Sequence, residues 1–135
     1  MSAKGFQKRD LPVAIEHIAE QIVDSAFKVH SALGPGLLES VYQTCMVWEL
    51  ESRGLEVRQE VALPVIYDDK RLDAGVRLDL LVEELVIVEL KSVERMLPVF
   101  DAQLLTYLKL SGKPLGFLIN FNVPLIKDGI RRRIL

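Results

Sequence analysis

The stretch from Arg77 to Ser92, RLDLLVEELVIVELKS, sets three charged side chains into an otherwise apolar background. Asp79 lies inside one apolar run, and Glu89 and Lys91 close the next, beyond Glu83-Glu84. Read as two strands joined by a tight turn, Glu89 and Lys91 are two apart and face one side. Asp79 then falls roughly opposite Leu90. Charges are seldom set in such strands without partners, because burying one alone costs several kcal/mol. One arrangement that partners them is a half-buried salt bridge between Lys91 and a carboxylate. The other is a pair of carboxylates, Asp79 and Glu89, holding a hard divalent cation. Such an ion, Mg²⁺ or Mn²⁺, takes oxygen ligands and keeps several waters. The Leu90 carbonyl offers a further oxygen, and Lys91 would orient an attacking water and balance charge on a phosphate.

Other polar residues recur at helical spacing around this stretch. Glu39, Tyr42 and Gln43 share a face at spacings of three and four. Glu39 falls in the first turn of its helix, where a carboxylate is also favoured by the helix dipole alone. Tyr42 reads as packing with a polar tip. Gln103 and Tyr107 are four apart on a later helix, which makes them either a surface amide and phenol or a matched pair. His30 closes the first helix, as a satisfied structural histidine or as a metal ligand.

The spacing Asp79, nine residues, Glu89-Leu90-Lys91 resembles the PD-(D/E)xK nuclease superfamily, although the proline before the aspartate is absent. Gly36-Leu37-Leu38-Glu39-Ser40-Val41-Tyr42 matches the motif of the GxxExxY protein family, which is assigned to that superfamily. The resemblance runs from about Ile15 to Leu135 and takes in the segment LINFNVPLIKDGIRR. It implies a restriction-endonuclease-like core and hydrolysis of phosphodiester bonds in DNA. It also implies that Glu39 adds an acidic group to the metal site and that His30 can ligate. Gln103 and Tyr107 resemble the QxxxY element of the RecB-like and Cas4-like branch, which shapes the site and contacts DNA, so with Tyr42 they are the expected substrate-binding residues. The cysteine cluster of some relatives is missing, so no iron–sulfur cluster is expected.

Composition sets wider bounds. The 135 residues suit one domain spanning the chain, with residues 1–10 expected to be flexible. Half the residues are hydrophobic, enough for a packed core. Seventeen Lys and Arg face nineteen Asp and Glu, a net charge of -2, so the chain is not the strongly basic domain that often marks nucleic-acid binding. Clustered charge matters more than the sum, and the one cluster is Arg131-Arg132-Arg133, a solvated terminal strand or a phosphate-binding patch. Cys45, alone among apolar residues, reads as a buried inert thiol. Residues 1–10 lack the apolar core of a signal peptide, and no run approaches the roughly 18 apolar residues of a membrane span. A cytoplasmic protein without a membrane partner is expected, with a homodimer as one way for so small a nuclease to cut two strands.

The elements that must carry these residues follow from periodicity. Ile15, Ile18, Ala19, Ile22, Ala26, Val29 and Leu33 predict a helix over 11–33, stopped by Gly34-Pro35-Gly36. A second helix is expected over 37–53, ended by Gly54. Alternation predicts strands over 57–67 and 72–82, with Pro64 favouring an edge, and 85–90 reads as a central strand apolar on both faces. Helical spacing returns after Pro98 with Leu104, Leu105 and Leu108, and 115–121 makes a buried strand. Residues 122–129 read as loop and 130–135 as a short last strand. The order α-α-β-β-β-α-β, with a possible added strand, predicts an α/β fold, a mixed sheet flanked by helices. Two further readings stay open: a nuclease fold kept as a catalytically idle binding or assembly module, and a hydrolase of a small phosphorylated substrate.

Overall fold

The computed structural model describes residues 11–135, so the expectation for residues 1–10 lies outside the described residues. Its elements are α1 (Val13–Leu33), α2 (Glu39–Ser52), β1 (Val57–Tyr67), β2 (Lys70–Val82), β3 (Val86–Lys91), α3 (Pro98–Ser111), β4 (Leu115–Asn120), a 3₁₀ turn (Ile126–Gly129) and β5 (Ile130–Arg133). The strands form one sheet in the order β1-β2-β3-β4-β5. Only β3 and β4 run parallel, joined by the crossover through α3, and the other pairs are antiparallel. The expected mixed sheet is therefore present, with helices on both faces.

Two apolar layers hold it together. On one face α1 buries Ile15, Ile18, Ile22, Ala26 and Val29, and α2 buries Tyr42, Met46, Val47 and Leu50. These pack on Leu80, Val82, Val86, Val88, Leu90, Phe117 and Ile119 of the sheet. On the other face Leu104 and Leu108 of α3 pack on Leu78, Leu81, Ile87 and Leu118. The helix comes so close that a Cβ at Gly116 would lie 2.7 Å from Leu104 Cδ1, which is why β4 carries a glycine there. β3 is buried on both faces along Val86–Leu90, as its unbroken apolar run predicts.

Local differences from the sequence expectation have local causes. α2 starts at Glu39 rather than Leu37, because the turn after α1 runs on to Leu38. Gly34 and Gly36 both adopt positive φ, 74° and 97°, and the Tyr42 hydroxyl closes the turn by donating to Gly34 O at 2.6 Å and accepting from Leu37 N–H at 3.1 Å. β2 begins at Lys70, since Asp68 and Asp69 form a two-residue hairpin loop with positive φ at both positions. Pro64 sits on edge strand β1 where the register shifts between Leu63 and Val65, consistent with its missing N–H. Cys45 is half-buried beside exposed Trp48, so the fully buried thiol expected from sequence is corrected. No helix among the described residues is long and apolar enough to cross a membrane.

Candidate active site

Asp79 and Glu89 meet where β2 and β3 separate. The paired residues end at Leu80↔Val88, and that register, continued, sets Asp79 across from Glu89 rather than Leu90. Leu85 belongs to the turn, with its N–H returning to Val82 O at 3.0 Å, so the ladder starts at Val82↔Val86 and carries Asp79 to Glu89. In place of ladder bonds the side chains take over. The Asp79 N–H donates to Glu89 Oε2 at 2.9 Å, and the Leu90 N–H donates to Asp79 Oδ2 at 2.8 Å. Each carboxylate thus uses one oxygen on the opposite strand's backbone. Among the described residues its second oxygen has no hydrogen-bond partner.

The electrostatics are those of crowded acids. Glu89 is 4% exposed, and its carboxyl is pushed up to about 8, first by desolvation and then by the Asp79 charge. Asp79, half-buried, is raised by desolvation against the opposing Leu90 N–H bond, with Glu60 adding repulsion. Glu39 stands at the mouth of the site, where solvent still reaches it. Its carboxyl is raised first by partial desolvation and then by the charges of Asp79 and Glu60, with Lys91 opposing. The placement of Glu39 follows from a bond across the fold: Ser92 Oγ donates to Leu37 O at 2.6 Å, tying the end of β3 to the residues before α2.

Lys91 faces these acids without pairing to one of them. Among the described residues none of the ion pairs within 4.0 Å involves Lys91. Its ammonium lies 4.5 Å from the Phe100 ring centroid, a cation–π seat supplied by α3. From there it lowers the carboxyls of Glu39, Asp79 and Glu89 through space. A Lys91 salt bridge, one of the two sequence alternatives, is not what the site contains. Tyr107 of α3 also reaches the site: desolvation raises its phenol, followed by the charges of Glu89 and Asp79, while Gln103 opposes the shift.

Other sequence candidates fall elsewhere. Tyr42 is fully buried and stacked on Phe121, with centroids 4.5 Å apart and planes at 8°. With its hydroxyl committed to the turn, it presents nothing to a substrate, which corrects its placement among the binding residues. His30 is bonded through Nε2 to Val123 O at 2.8 Å, and it is not among the charges that perturb Asp79, Glu89 or Glu39. The structure does not bring it to the carboxylates, which corrects the expectation that it ligates. Leu90 contributes only its backbone, its side chain being buried in the core. Arg131 and Arg133 both face Asp101 of α3, and Arg132 makes a two-pronged contact with Glu16 of α1 at 2.8 and 2.6 Å. The cluster joins strand to helices on both faces.

One residue of the site escaped sequence reasoning. Glu60 of β1 acts on Glu39, Asp79 and Glu89 alike, and its carboxylate accepts from Gln43 Nε2 at 2.8 Å. Its place in an alternating strand gave no hint of this, because nothing in the sequence marks the strand's twist at that point.

The donor set suits a hard cation. Two carboxylates each hold back an oxygen, and both are driven toward protonation, first by desolvation. As the side chains stand, no three His, Cys, Asp or Glu groups among the described residues are close enough to ligate one ion together. The fit is therefore to an ion that keeps several waters and takes few protein ligands.

A mixed sheet between helix layers, with acids and a lysine gathered on two adjacent strands, defines a restriction-endonuclease-like fold. The chain belongs to the PD-(D/E)XK nuclease superfamily, whose family model matches residues 16–133. That membership carries a nuclease-type function and a nucleic-acid substrate, and nucleases of this superfamily generally use divalent metals. No curated protein and no solved structure matches the chain.

Proposed function

We propose that the chain hydrolyses phosphodiester bonds in DNA at the Asp79–Glu89–Lys91 site, within the GxxExxY family and near the RecB-like and Cas4-like branch. The observation that carries the reading is the pairing of two half-committed carboxylates with a lysine that has no ion-pair partner. Asp79, Glu89 and the Leu90 carbonyl would hold Mg²⁺ or Mn²⁺, with Glu39 reaching the ion through water. When bound, the ion supplies charge stabilisation on the phosphate and eases ionisation of the attacking water. Lys91, held on Phe100, directs a positive charge at the phosphate oxygens, a preorganised arrangement of the kind that dominates such catalysis. Tyr107 and Gln103 line the α3 side, where a phenol and an amide can orient the substrate backbone. The site's own acids repel a phosphate, and a bound cation would offset that repulsion.

The test is cleavage of labelled single-stranded and duplex DNA with Mg²⁺ or Mn²⁺, set against the chelated protein and Asp79→Ala. Metal-dependent cleavage leaving 5′-phosphates, lost in the variant, is expected. Cleavage that persists in Asp79→Ala would assign the activity to another site or a contaminant. A second reading, an idle nuclease fold that binds or assembles, draws support from the arginine cluster, whose members are committed to Glu16 and Asp101 rather than offered to phosphates. Metal binding without cleavage of DNA or RNA would favour it.

A further inference from the structure

Glu60 has φ of 53°, in the left-handed region. The other non-glycine residues with positive φ among those described are Asp68, Asp69, Glu83 and Glu84, all in hairpin turns. Glu60 alone stands inside a strand, where a side chain in that conformation is disfavoured. Its position is specific. β1 and β2 pair at Gln59↔Leu80 and Val61↔Leu78, so Glu60 lies opposite Asp79, and that pair is missing from the ladder. The two strands keep one register on both sides of this gap, and that register shifts only further along, between Leu63 and Val65.

β2 responds at the same point. Residues two apart on a regular strand share a face, yet Leu80 packs in the α1–α2 core and Leu78 in the α3 core. The strand therefore turns over at Asp79. This turn lets the Asp79 N–H meet the Glu89 carboxylate, and the Asp79 carboxylate the Leu90 N–H. The kink is held from both sides: Gln43 Nε2 of α2 donates to Glu60 Oε2 at 2.8 Å, and the Arg77 guanidinium donates to Glu60 O at 2.9 Å.

We propose that Glu60 is a positioning residue whose left-handed backbone opens the β1–β2 ladder at Asp79 and so aims Asp79 and Glu89 at one point. The role is exercised through the backbone conformation, which the Gln43 bond to the carboxylate helps to hold. It rests on the metal-site reading above only for its consequence in metal affinity, since the geometric effect exists in the metal-free protein.

The experiment compares Glu60→Gly, Glu60→Gln, Glu60→Ala and Glu60→Val by two measurements. The first is hydrogen exchange of the Asp79 and Leu90 amides in metal-free protein, referenced to the neighbouring Leu80 and Val88 amides. The second is calorimetric titration with Mn²⁺. Glycine adopts positive φ freely and a β-branched valine resists it most. Glu60→Gly and Glu60→Gln should keep the relative protection and, alike in losing the Glu60 charge, bind Mn²⁺ within threefold of one another. Glu60→Val should lose at least tenfold in both, with Glu60→Ala between, and the Gly–Ala comparison decides the matter if the valine variant does not fold. Full protection and parental affinity in Glu60→Ala and Glu60→Val would overturn the proposal. So would equal losses in all four variants, which would place the role in the carboxylate. Absence of Mn²⁺ binding by the parent would sink the metal reading instead, and the exchange data would still judge the positioning role.

Discussion

Asp79 and Glu89 cross-brace their strands: each carboxylate accepts a hydrogen bond from the opposite strand's backbone, at 2.8 Å to the Leu90 N–H and 2.9 Å to the Asp79 N–H. The brace fixes both groups before any ion arrives, so little side-chain freedom is left to lose on binding. It also forces two acids together, and that repulsion is relieved when either loses its charge. Asp79→Asn and Glu89→Gln should therefore abolish calorimetric Mn²⁺ binding while leaving the metal-free melting temperature unchanged or a few degrees higher. A melting point lowered by more than about 5 °C, the scale of roughly 1 kcal/mol in a domain of this size, would show that the carboxylates stabilise the fold instead.

The raised Glu89 carboxyl makes a prediction about pH. Its ordinary value is 4.5 and in the fold it reaches about 8, so the native state keeps a proton that the unfolded chain releases. The contribution to stability is complete below pH 4.5 and is lost as pH rises toward 8 and beyond. Asp79, shifted the same way, adds to the slope. Urea denaturation of chelated protein should show stability falling by a few kcal/mol between about pH 5 and pH 8. The fall should be much smaller in Glu89→Gln, and saturating Mn²⁺ should reverse it, because the ion requires the ionised form. A parent protein equally stable at both ends of that range would contradict the burial argument for Glu89.

Lys91 separates chemistry from structure. It makes no ion pair within 4 Å among the described residues and rests on Phe100, so its loss removes a contact worth about 0.5–1 kcal/mol. Lys91→Met should thus cost little stability and leave Mn²⁺ affinity within severalfold. Cleavage should fall by about a hundredfold or more, the scale of losing one preorganised catalytic group. Rates within threefold of the parent would remove Lys91 from the reaction.

The sequence carried the sheet's centre and the convergence of Asp79, Glu89 and Lys91 because those are written in local terms. The unbroken apolar run of β3 predicts burial on both faces, and Glu89 and Lys91 two apart predict a shared side. Pro64 marked an edge strand, and the structure puts it at a bulge on β1. What could not be read are relations set by tertiary contact. The Val123 carbonyl that claims His30 is 93 residues away. The register that faces Asp79 to Glu89 is set by a three-residue turn that takes in Leu85, and Glu60's conformation runs against its own propensity. Tyr42 is a related case. Its spacing from Glu39 suggests a shared task, but the phenol closes the turn that ends just before α2. Tyr42→Phe, which removes the partner of the Leu37 N–H and the Gly34 carbonyl in a partly buried turn, should therefore cost about 1 kcal/mol in stability. DNA affinity measured well below the melting temperature should not change, and a selective loss of affinity in a fully stable variant would return Tyr42 to the binding surface.

The terminal arginines give the last prediction. Alternation along β5 sends Arg131 and Arg133 to one face and Arg132 to the other. On each face a carboxylate is waiting: Asp101 for the first two and Glu16 for the third. An arginine already neutralised by a neighbouring carboxylate releases few counterions from DNA, because reaching a phosphate requires breaking the existing pair. Partly exposed pairs of this kind are worth only about 0–1 kcal/mol, so their removal is also mild for the fold. Arg132→Ala and the double change Arg131→Ala with Arg133→Ala should each leave DNA affinity within about threefold of the parent. The plot of log affinity against log salt should keep its slope, since one lost phosphate contact would flatten it by about 0.9 on duplex DNA. Glu16→Gln gives the complementary arm: freeing Arg132 from its partner should strengthen binding at low salt and steepen the slope. A slope reduced by about one unit in either arginine variant would show that the strand grips the backbone, and the α3 face with Gln103 and Tyr107 would then share the substrate with β5.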